Sequence, residues 1–158
     1  MFRGRGGIKY AMFNDSHLLH NKVVNGDLLG AQELVNAGVS VNGNPRLLRD
    51  IPLILATVKG RIRIAEFLIA RGANLESACL EDVVNENNGE MSARKGTRAL
   101  HLSSSPDMTS VLLKAGACPN ATDADGCTPL MRAVENPKAL AVGMVRELLR
   151  GNADPRLT

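Results

Sequence analysis

The sequence predicts an all-α solenoid of stacked helix–turn–helix units, and two observations predict it. The first is a phrase that occurs four times, as ELVNAGVSVN, FLIARGANLE, VLLKAGACPN and ELLRGNADPR. In each copy an apolar run is followed, after two further residues, by a residue that tolerates positive φ, as at a helix stop. The second is the spacing of these residues: Gly38, Gly72, Gly116 and Asn152 lie 34, 44 and 36 positions apart. Periods in the thirties are typical of stacked repeats rather than of one globular core.

Composition narrows the class of protein. Hydrophobic residues make up 44% of the 158 residues, but only three Phe and one Tyr are aromatic, so the core must be aliphatic. No apolar stretch approaches the roughly 20 residues that a membrane span needs, and the N-terminus lacks the apolar segment of a signal peptide. Cys79, Cys118 and Cys127 form no CxxC pair. We therefore expect a reducing, intracellular compartment, cytoplasmic or nuclear.

The charge is unevenly distributed, although the net value is only +3. Residues 46–80 contain six Lys or Arg against three Asp or Glu, whereas residues 81–95 contain four acidic and two basic residues. A basic second unit is thus followed by an acidic connector. Such charges commonly form the solvated face of a helix, and here they also suggest a partner with an acidic patch.

The last copy shows the signals of a helical unit most fully. Asp125-Gly126 suits a tight turn, Thr128 is a good N-cap, and Pro129 fits the first helical position, where its missing N–H costs nothing. A second apolar stripe at helical spacing then runs to the stop at Asn152. The turn and the two helices resemble the ankyrin repeat family, in which a T-P-L-H-x-A phrase opens the first helix. The resemblance rests on Asp123, Asp125-Gly126, Thr128-Pro129-Leu130, Ala133, Leu148-Leu149 and Ala153-Asp154-Pro155.

The same pattern can be followed upstream through most of the chain. The second unit matches from Ile51-Pro52-Leu53 through Gly60 to Gly72-Ala73-Asn74. The resemblance implies an ankyrin repeat solenoid whose helix–turn–helix units are joined by β-hairpin-like turns. It implies repeats at about 14–44, 45–76, 94–120 and 121–158 within a domain spanning 14–158, an acidic insertion at about 77–93, and a flexible basic segment at 1–13.

Three departures from the pattern are expected. In the third repeat the first helix is short, so that Pro106 begins the second helix. In the fourth, Asn136-Pro137 begins a longer loop between the helices. Within the insertion, we expect Ala78 to Val84 to form a helical turn and Asn85 to Glu90 to form a mobile loop.

No set of residues indicates catalysis, a metal site or a cofactor. The resemblance assigns His20 and His101 to the structural His of the ankyrin phrase. Cys118 and Cys127 are nine residues apart with no nearby His. The segment around Asp123 lacks the closing Glu of a calcium loop. The basic RGRGG segment could touch nucleic acid but is interpreted as a terminal segment, and few aromatic residues are available for base stacking.

The family resemblance predicts a protein–protein interaction module that binds through a concave surface of hairpin tips and first helices. The alternative is a stoichiometric inhibitor whose insertion at 77–93 blocks an enzyme's cleft. A nucleic-acid binder using the basic second unit is disfavoured by its mild charge. The resemblance also makes Asn42 and Asn120 candidate asparagine-hydroxylation sites. The predicted partner-binding residues are Arg49, Asp50, Leu55, Lys59, Lys95, Thr97, Leu102, Asp125, Cys127, Arg132 and Glu135.

Overall fold

Seven α-helices and one short 3-10 helix lie in the part of the chain that the computed structural model describes, residues 17–43, 51–80, 83–84, 91–93, 95–135 and 141–157. The α-helices are α1 (17–25), α2 (Leu28–Asn36), α3 (Pro52–Val58), α4 (Ile62–Ala70), α5 (Pro106–Lys114), α6 (Pro129–Glu135) and α7 (Ala141–Arg150), and the 3-10 helix is Ala99–Leu102. We call α1–α2 unit one, α3–α4 unit two, the 3-10 helix with α5 unit three, and α6–α7 unit four.

The helices form two layers. In the inner layer α3 packs against the 3-10 helix, which packs against α6. In the outer layer α2 packs on α4, α4 on α5, and α5 on α7. Each inner helix of units two to four also packs on the outer helix of its own unit. This arrangement confirms the predicted all-α solenoid of stacked helical hairpins.

The four predicted helix stops are confirmed by their backbone geometry. Gly38, Gly72 and Gly116 have φ of 99°, 84° and 99°, and Asn152 has φ of 64°. At the second stop, the N–H of Ala73 donates to the carbonyl of Leu68 and the N–H of Gly72 donates to that of Ile69. This pair of bonds is a Schellman motif, which satisfies carbonyls that the helix end leaves without an intrahelical donor.

Leucines form the centre of the stack. Leu19, Leu68, Leu112 and Leu148, one from each unit, are fully buried. Small residues let two outer helices approach closely: a Cβ added at Gly143 of α7 would overlap Pro106 of α5, and one added at Gly151 would meet Leu113. The apolar periodicity of the sequence therefore becomes one continuous core that runs through all four units.

Unit three departs from the others as predicted. Its first helix is a single 3-10 turn, and Pro106 is the first residue of α5. The Oγ of Ser105 accepts a hydrogen bond from the N–H of Met108 at 3.2 Å, which caps α5. In unit four, the Oγ1 of Thr128 likewise accepts from the N–H of Met131, so the predicted cap is confirmed. The loop predicted at Asn136-Pro137 lies outside the described residues.

The insertion forms a β-hairpin where we expected a helical turn. Strand β1 (Val83–Val84) pairs antiparallel with β2 (Met91–Ala93), with one irregularity in register. At the base, the N–H of Cys79 donates to the carbonyl of Thr97 at 2.9 Å, and the N–H of Gly96 donates to that of Cys79 at 2.7 Å. Val83 and Val84 are extended because they pair with the returning strand and because adjacent β-branched valines favour strands, and Ala78 forms a bridge with Arg98. The loop predicted at 85–90 lies outside the described residues.

No helix in the described ranges has the length and apolar character needed to cross a membrane.

Candidate functional site

Two turns between units lie side by side next to the inner helices. Finger one is the hairpin of the insertion with its base, between Ser77 and Arg98, and finger two is the turn 121–128. The N–H of Ala124 in finger two donates to the carbonyl of Lys95 in finger one at 2.9 Å. Gly96 has φ of 78°, and a Cβ there would lie 3.1 Å from the Ala124 nitrogen. Only glycine therefore lets the two fingers meet at this point without strain.

A buried carboxylate organises finger two. The side chain of Asp123 is fully buried, and its Oδ1 accepts hydrogen bonds from the N–H groups of Asp125 and Cys127, both at 3.0 Å. Its Oδ2 accepts from Nε and Nη2 of Arg132 at 2.9 and 2.8 Å. The same guanidinium contacts Asp125 at 2.8 Å and Glu135 at 3.1 Å. Arg132 thus ties the tip of finger two to helix α6.

The pKa values in this network follow from its geometry. Burial acts to raise the pKa of Asp123, but the hydrogen bonds from Arg132, Cys127 and Asp125 outweigh it, and the pKa is lowered. Burial acts to lower the pKa of Arg132, but its hydrogen bonds to Asp123, Asp125 and Glu135 raise it. Both groups are therefore charged at neutral pH.

A second ion pair holds the base of finger one. Oε2 of Glu76, at the end of unit two, lies 2.9 Å from Nε of Arg98, where unit three begins. Oε1 of the same carboxylate accepts from the N–H of Cys118 at 2.9 Å, and Nη1 of Arg98 donates to the carbonyl of Thr122 at 3.0 Å. Glu76 and Arg98 together connect units two and three with finger two across the whole insertion.

Glu76 is also one member of a ladder between units. The acceptors of this ladder are the side chains that lie four residues after each of the first three helix stops, namely Asn42, Glu76 and Asn120. Each accepts from the main-chain N–H two residues after the next stop: Asn42 from Asn74 at 2.7 Å, and Asn120 from Asp154 at 2.8 Å. We call this row the inter-unit ladder. It fixes the spacing of consecutive units on the finger side.

His101 has the structural role that the resemblance implies. Its Nδ1 accepts from the N–H of Arg98 at 3.3 Å, so Nε2 carries the proton and donates to the carbonyl of Cys127 at 3.2 Å. The imidazole thereby joins the inner helix of unit three to finger two. Burial lowers the pKa of His101, so the neutral form is favoured. His20 lies on α1 with its ring stacked against that of His17, at 5.8 Å between centroids.

Most of the predicted partner-binding residues have accessible side chains. Leu55 and Leu102, which follow Ile54 and His101 at equivalent points of neighbouring units, pack partly against the core. The exposed residues of the predicted set are Lys59, Lys95, Asp125 and Glu135, and the half-buried ones are Leu55, Leu102, Cys127 and Arg132.

Three members of the predicted set are either buried or outside the described residues. Thr97 is buried, with only 3% of its surface exposed, because it lies at the base of finger one, beside Gly96 and opposite Cys79. Its side chain is therefore not part of the accessible surface, which corrects the prediction. Arg49 and Asp50 lie outside the described residues.

Glu76 and Arg98 are organising residues that were not predicted from the sequence. One signal was available: Glu76 is four residues after Gly72, as Asn42 is after Gly38. Its pairing with Arg98 gave no local signal, because 21 residues separate the two in the chain.

No group of three or more His, Cys, Asp or Glu side chains within the described ranges could hold a metal ion. A family model for the ankyrin repeat matches residues 125–158. No curated protein matches the chain. The matched segment covers the end of finger two, both helices of unit four and its helix stop, and the three preceding units repeat its outer helix and stop. The last helical hairpin of this chain thus matches the ankyrin repeat, and the stack to which it belongs has an all-α fold of helical hairpins that is consistent with the ankyrin repeat fold.

Proposed function

We propose that this chain is a protein–protein interaction module, a scaffold or adaptor that binds a partner protein through its inner helices and fingers. Ankyrin repeats generally bind other proteins. The observation that carries the proposal is the locked geometry of finger two, in which buried Asp123 holds two backbone amides and Arg132. A surface held in this way loses little conformational entropy on binding.

We propose a smaller set of partner-contacting residues than the sequence alone predicted. The charge of Arg132 is already shared among three carboxylates, so Arg132 serves mainly to position finger two. Leu55 and Leu102 offer apolar contacts, and Lys59 of unit two and Lys95 of finger one offer exposed positive charges. This combination fits a partner that presents apolar side chains flanked by acidic groups.

A charge-reversal pair tests the proposal. The bait variant Lys59→Glu/Lys95→Glu changes two exposed cations of the proposed surface. The control Arg63→Glu/Lys114→Glu changes two exposed cations of the outer helices by the same total charge. Each bait is incubated with lysate of the source cell. We expect the wild type and the control to capture the same partner protein, and the Lys59→Glu/Lys95→Glu variant to fail to capture it. Equal capture by all three baits would refute the assignment of the surface, provided that their helical circular dichroism agrees.

The second candidate function is stoichiometric inhibition of an enzyme by finger one. The observation that favours it is the antiparallel pairing at 83–84 and 91–93 above a closed base, which gives the insertion a two-stranded form suited to entering a cleft. Deleting Glu86–Glu90 separates the two functions. A docking module keeps its partner after the deletion, whereas an inhibitor loses inhibition of the captured enzyme.

Hydroxylation of Asn42 and Asn120 is also proposed. Asn42 is exposed, and both side chains are acceptors of the inter-unit ladder. Co-expression with an ankyrin-directed asparagine hydroxylase should add the mass of one oxygen to the peptides that contain them. Unmodified peptides would contradict this proposal.

A cytoplasmic or nuclear location is proposed as well. All three cysteines are free thiols, which supports a reducing compartment. Imaging the tagged chain in its source cell tests the proposal.

A further inference from the structure

The accessible side chains of the inner helices change in chemistry from unit two to unit four. Helices α3 and α6 both begin with proline, so the positions three and six residues after it are equivalent in the two units. In α3 these positions hold Leu55 and Val58, and in α6 they hold Arg132 and Glu135. Positions three residues apart lie on the same face of a helix. The same face is therefore apolar in unit two and ionic in unit four.

The apolar part of this face continues into unit three. Leu55 is half-buried and Val58 is 48% exposed, whereas the other five residues of α3 are buried. Leu102, at the point of unit three equivalent to Leu55, is also half-buried and is followed by three serines. We call Leu55, Val58 and Leu102 the inner stripe. Covering it with apolar side chains of a partner removes apolar surface from water, which favours binding.

Unit two carries positive charge at the end of the inner stripe, next to Val58. Lys59 directly follows α3 and is exposed. Two residues later, Arg61 is exposed as well, and its Nη2 donates to the main-chain carbonyl of Val24 at 3.0 Å, which is a neutral acceptor. Two positive charges therefore lie where the chain leaves α3.

Unit four and finger two carry negative charge in the corresponding region. Asp123, Asp125 and Glu135 all contact the guanidinium of Arg132, so three carboxylates share one cation and the cluster has a formal charge of −2. Lys95 of finger one, which lies beside finger two, leaves the total negative. The side chains of Asp125 and Glu135 are 42% and 59% exposed, so the excess negative charge reaches the surface.

The two charged regions are separated by two spacings between inner helices, about 16–20 Å, because α3, the 3-10 helix and α6 pack side by side. A partner with only acidic groups, or the phosphate backbone of a nucleic acid, would be attracted at Lys59 and repelled at Glu135. Like charges brought together at an interface lower affinity and exclude wrong partners. The surface thus selects a partner with both signs of charge in a fixed order.

We propose that the partner covers this surface with one segment that is acidic over Lys59, apolar over the inner stripe and basic over Asp125 and Glu135. The basic group is a lysine or arginine that neutralises the excess negative charge left by the Arg132 cluster. Because it rests on the proposed function, this assignment concerns the same partner protein. It adds a basic contact at unit four and fixes the direction in which the segment crosses the three units.

Neutral isosteres at the negative end test the proposal with little change to finger two. Asp125→Asn/Glu135→Gln removes two negative charges and keeps side-chain oxygens that can accept from Arg132. The control Glu66→Gln/Asp107→Asn removes two exposed negative charges from outer helices. The dissociation constant of the captured partner is measured for each full chain by biolayer interferometry. We expect the first variant to bind about tenfold more weakly than the wild type, and the control to bind within about twofold of it.

The sign of the change separates this proposal from the proposed function. A partner without the basic group would bind Asp125→Asn/Glu135→Gln as tightly as the wild type or more tightly, while Lys59→Glu still weakened its binding. That result would overturn the present proposal and leave the proposed function standing. Unchanged binding by both variants, or the capture of no partner at all, would overturn both.

A single substitution keeps the test decisive if the double variant is less stable in urea unfolding. Glu135→Gln leaves both carboxylates of finger two in place, and it should still weaken binding by about threefold. A Glu135→Gln chain that binds the partner like the wild type would contradict the basic contact at unit four.

Discussion

Replacing Asp123 by alanine should destabilise the stack more than any other single change in finger two. The carboxylate is fully buried and accepts four hydrogen bonds, two from backbone amides and two from Arg132. A net hydrogen bond contributes about 1 kcal/mol, and one to a charged group about 1.5–3 kcal/mol. Their sum is an upper bound, because contributions within one network are not additive.

Two features of the network reduce the expected cost. The side chain of Arg132 is 25% exposed, and after the change it keeps Asp125 and Glu135 as partners, so no charge is left buried alone. We therefore expect Asp123→Ala to lower the free energy of unfolding by about 3 kcal/mol. The matched control is Asp125→Ala, which removes an exposed carboxylate from the same guanidinium and should cost about 0.5 kcal/mol.

Urea unfolding at neutral pH, followed by circular dichroism with the m-value compared across variants, measures both changes. Asp123→Asn, which keeps the shape and loses the charge, should fall between them. Equal stabilities for Asp123→Ala and Asp125→Ala would refute the reasoning, because the buried hydrogen bonds would then contribute nothing beyond a surface ion pair.

Three further predictions concern the contacts between units. Since burial lowers the pKa of His101, the unfolded chain takes up a proton near pH 6.5 before the folded chain does, so stability should fall as pH drops below about 6.5; pH-dependent urea unfolding should show a smaller loss in His101→Gln. Gly143→Leu should lower the free energy of unfolding by about 1–3 kcal/mol in the same assay, because a side chain at this position overlaps Pro106. Asn120→Ala should lower the free energy of unfolding by about 1 kcal/mol. It should also accelerate hydrogen exchange at the amide of Asp154, because this N–H loses its acceptor.

The helical framework was predictable because its signals are local. A helix stop needs a residue that adopts positive φ, and Gly38, Gly72, Gly116 and Asn152 all do so. The short first helix of unit three followed from Pro106, which occupies the first position of α5.

The fingers were less predictable because pairing across the insertion decides their structure. The run from Ala78 to Val84 is short, with apolar residues on both sides of Glu81 and Asp82, and so short a run does not distinguish helix from strand. The start of this run is held by pairing between Cys79 and Thr97 across the insertion. That pairing also buries Thr97, although its position in the repeat pattern had predicted an exposed, partner-binding residue.

The charged network was partly visible in the sequence. Asp125, Arg132 and Glu135 were predicted as a binding set, but the sequence does not show that they contact one another. Their mutual neutralisation depends on Asp123, whose burial becomes apparent only when finger two is folded against α6.

Hydrogen exchange of the chain with and without its captured partner is the most direct test of the binding surface. If the inner helices and fingers bind the partner, protection should increase at 52–58, 95–102 and 123–135 and stay unchanged in α2, α4, α5 and α7. Protection confined to those outer helices, with the inner helices and fingers unaffected, would contradict the proposed function.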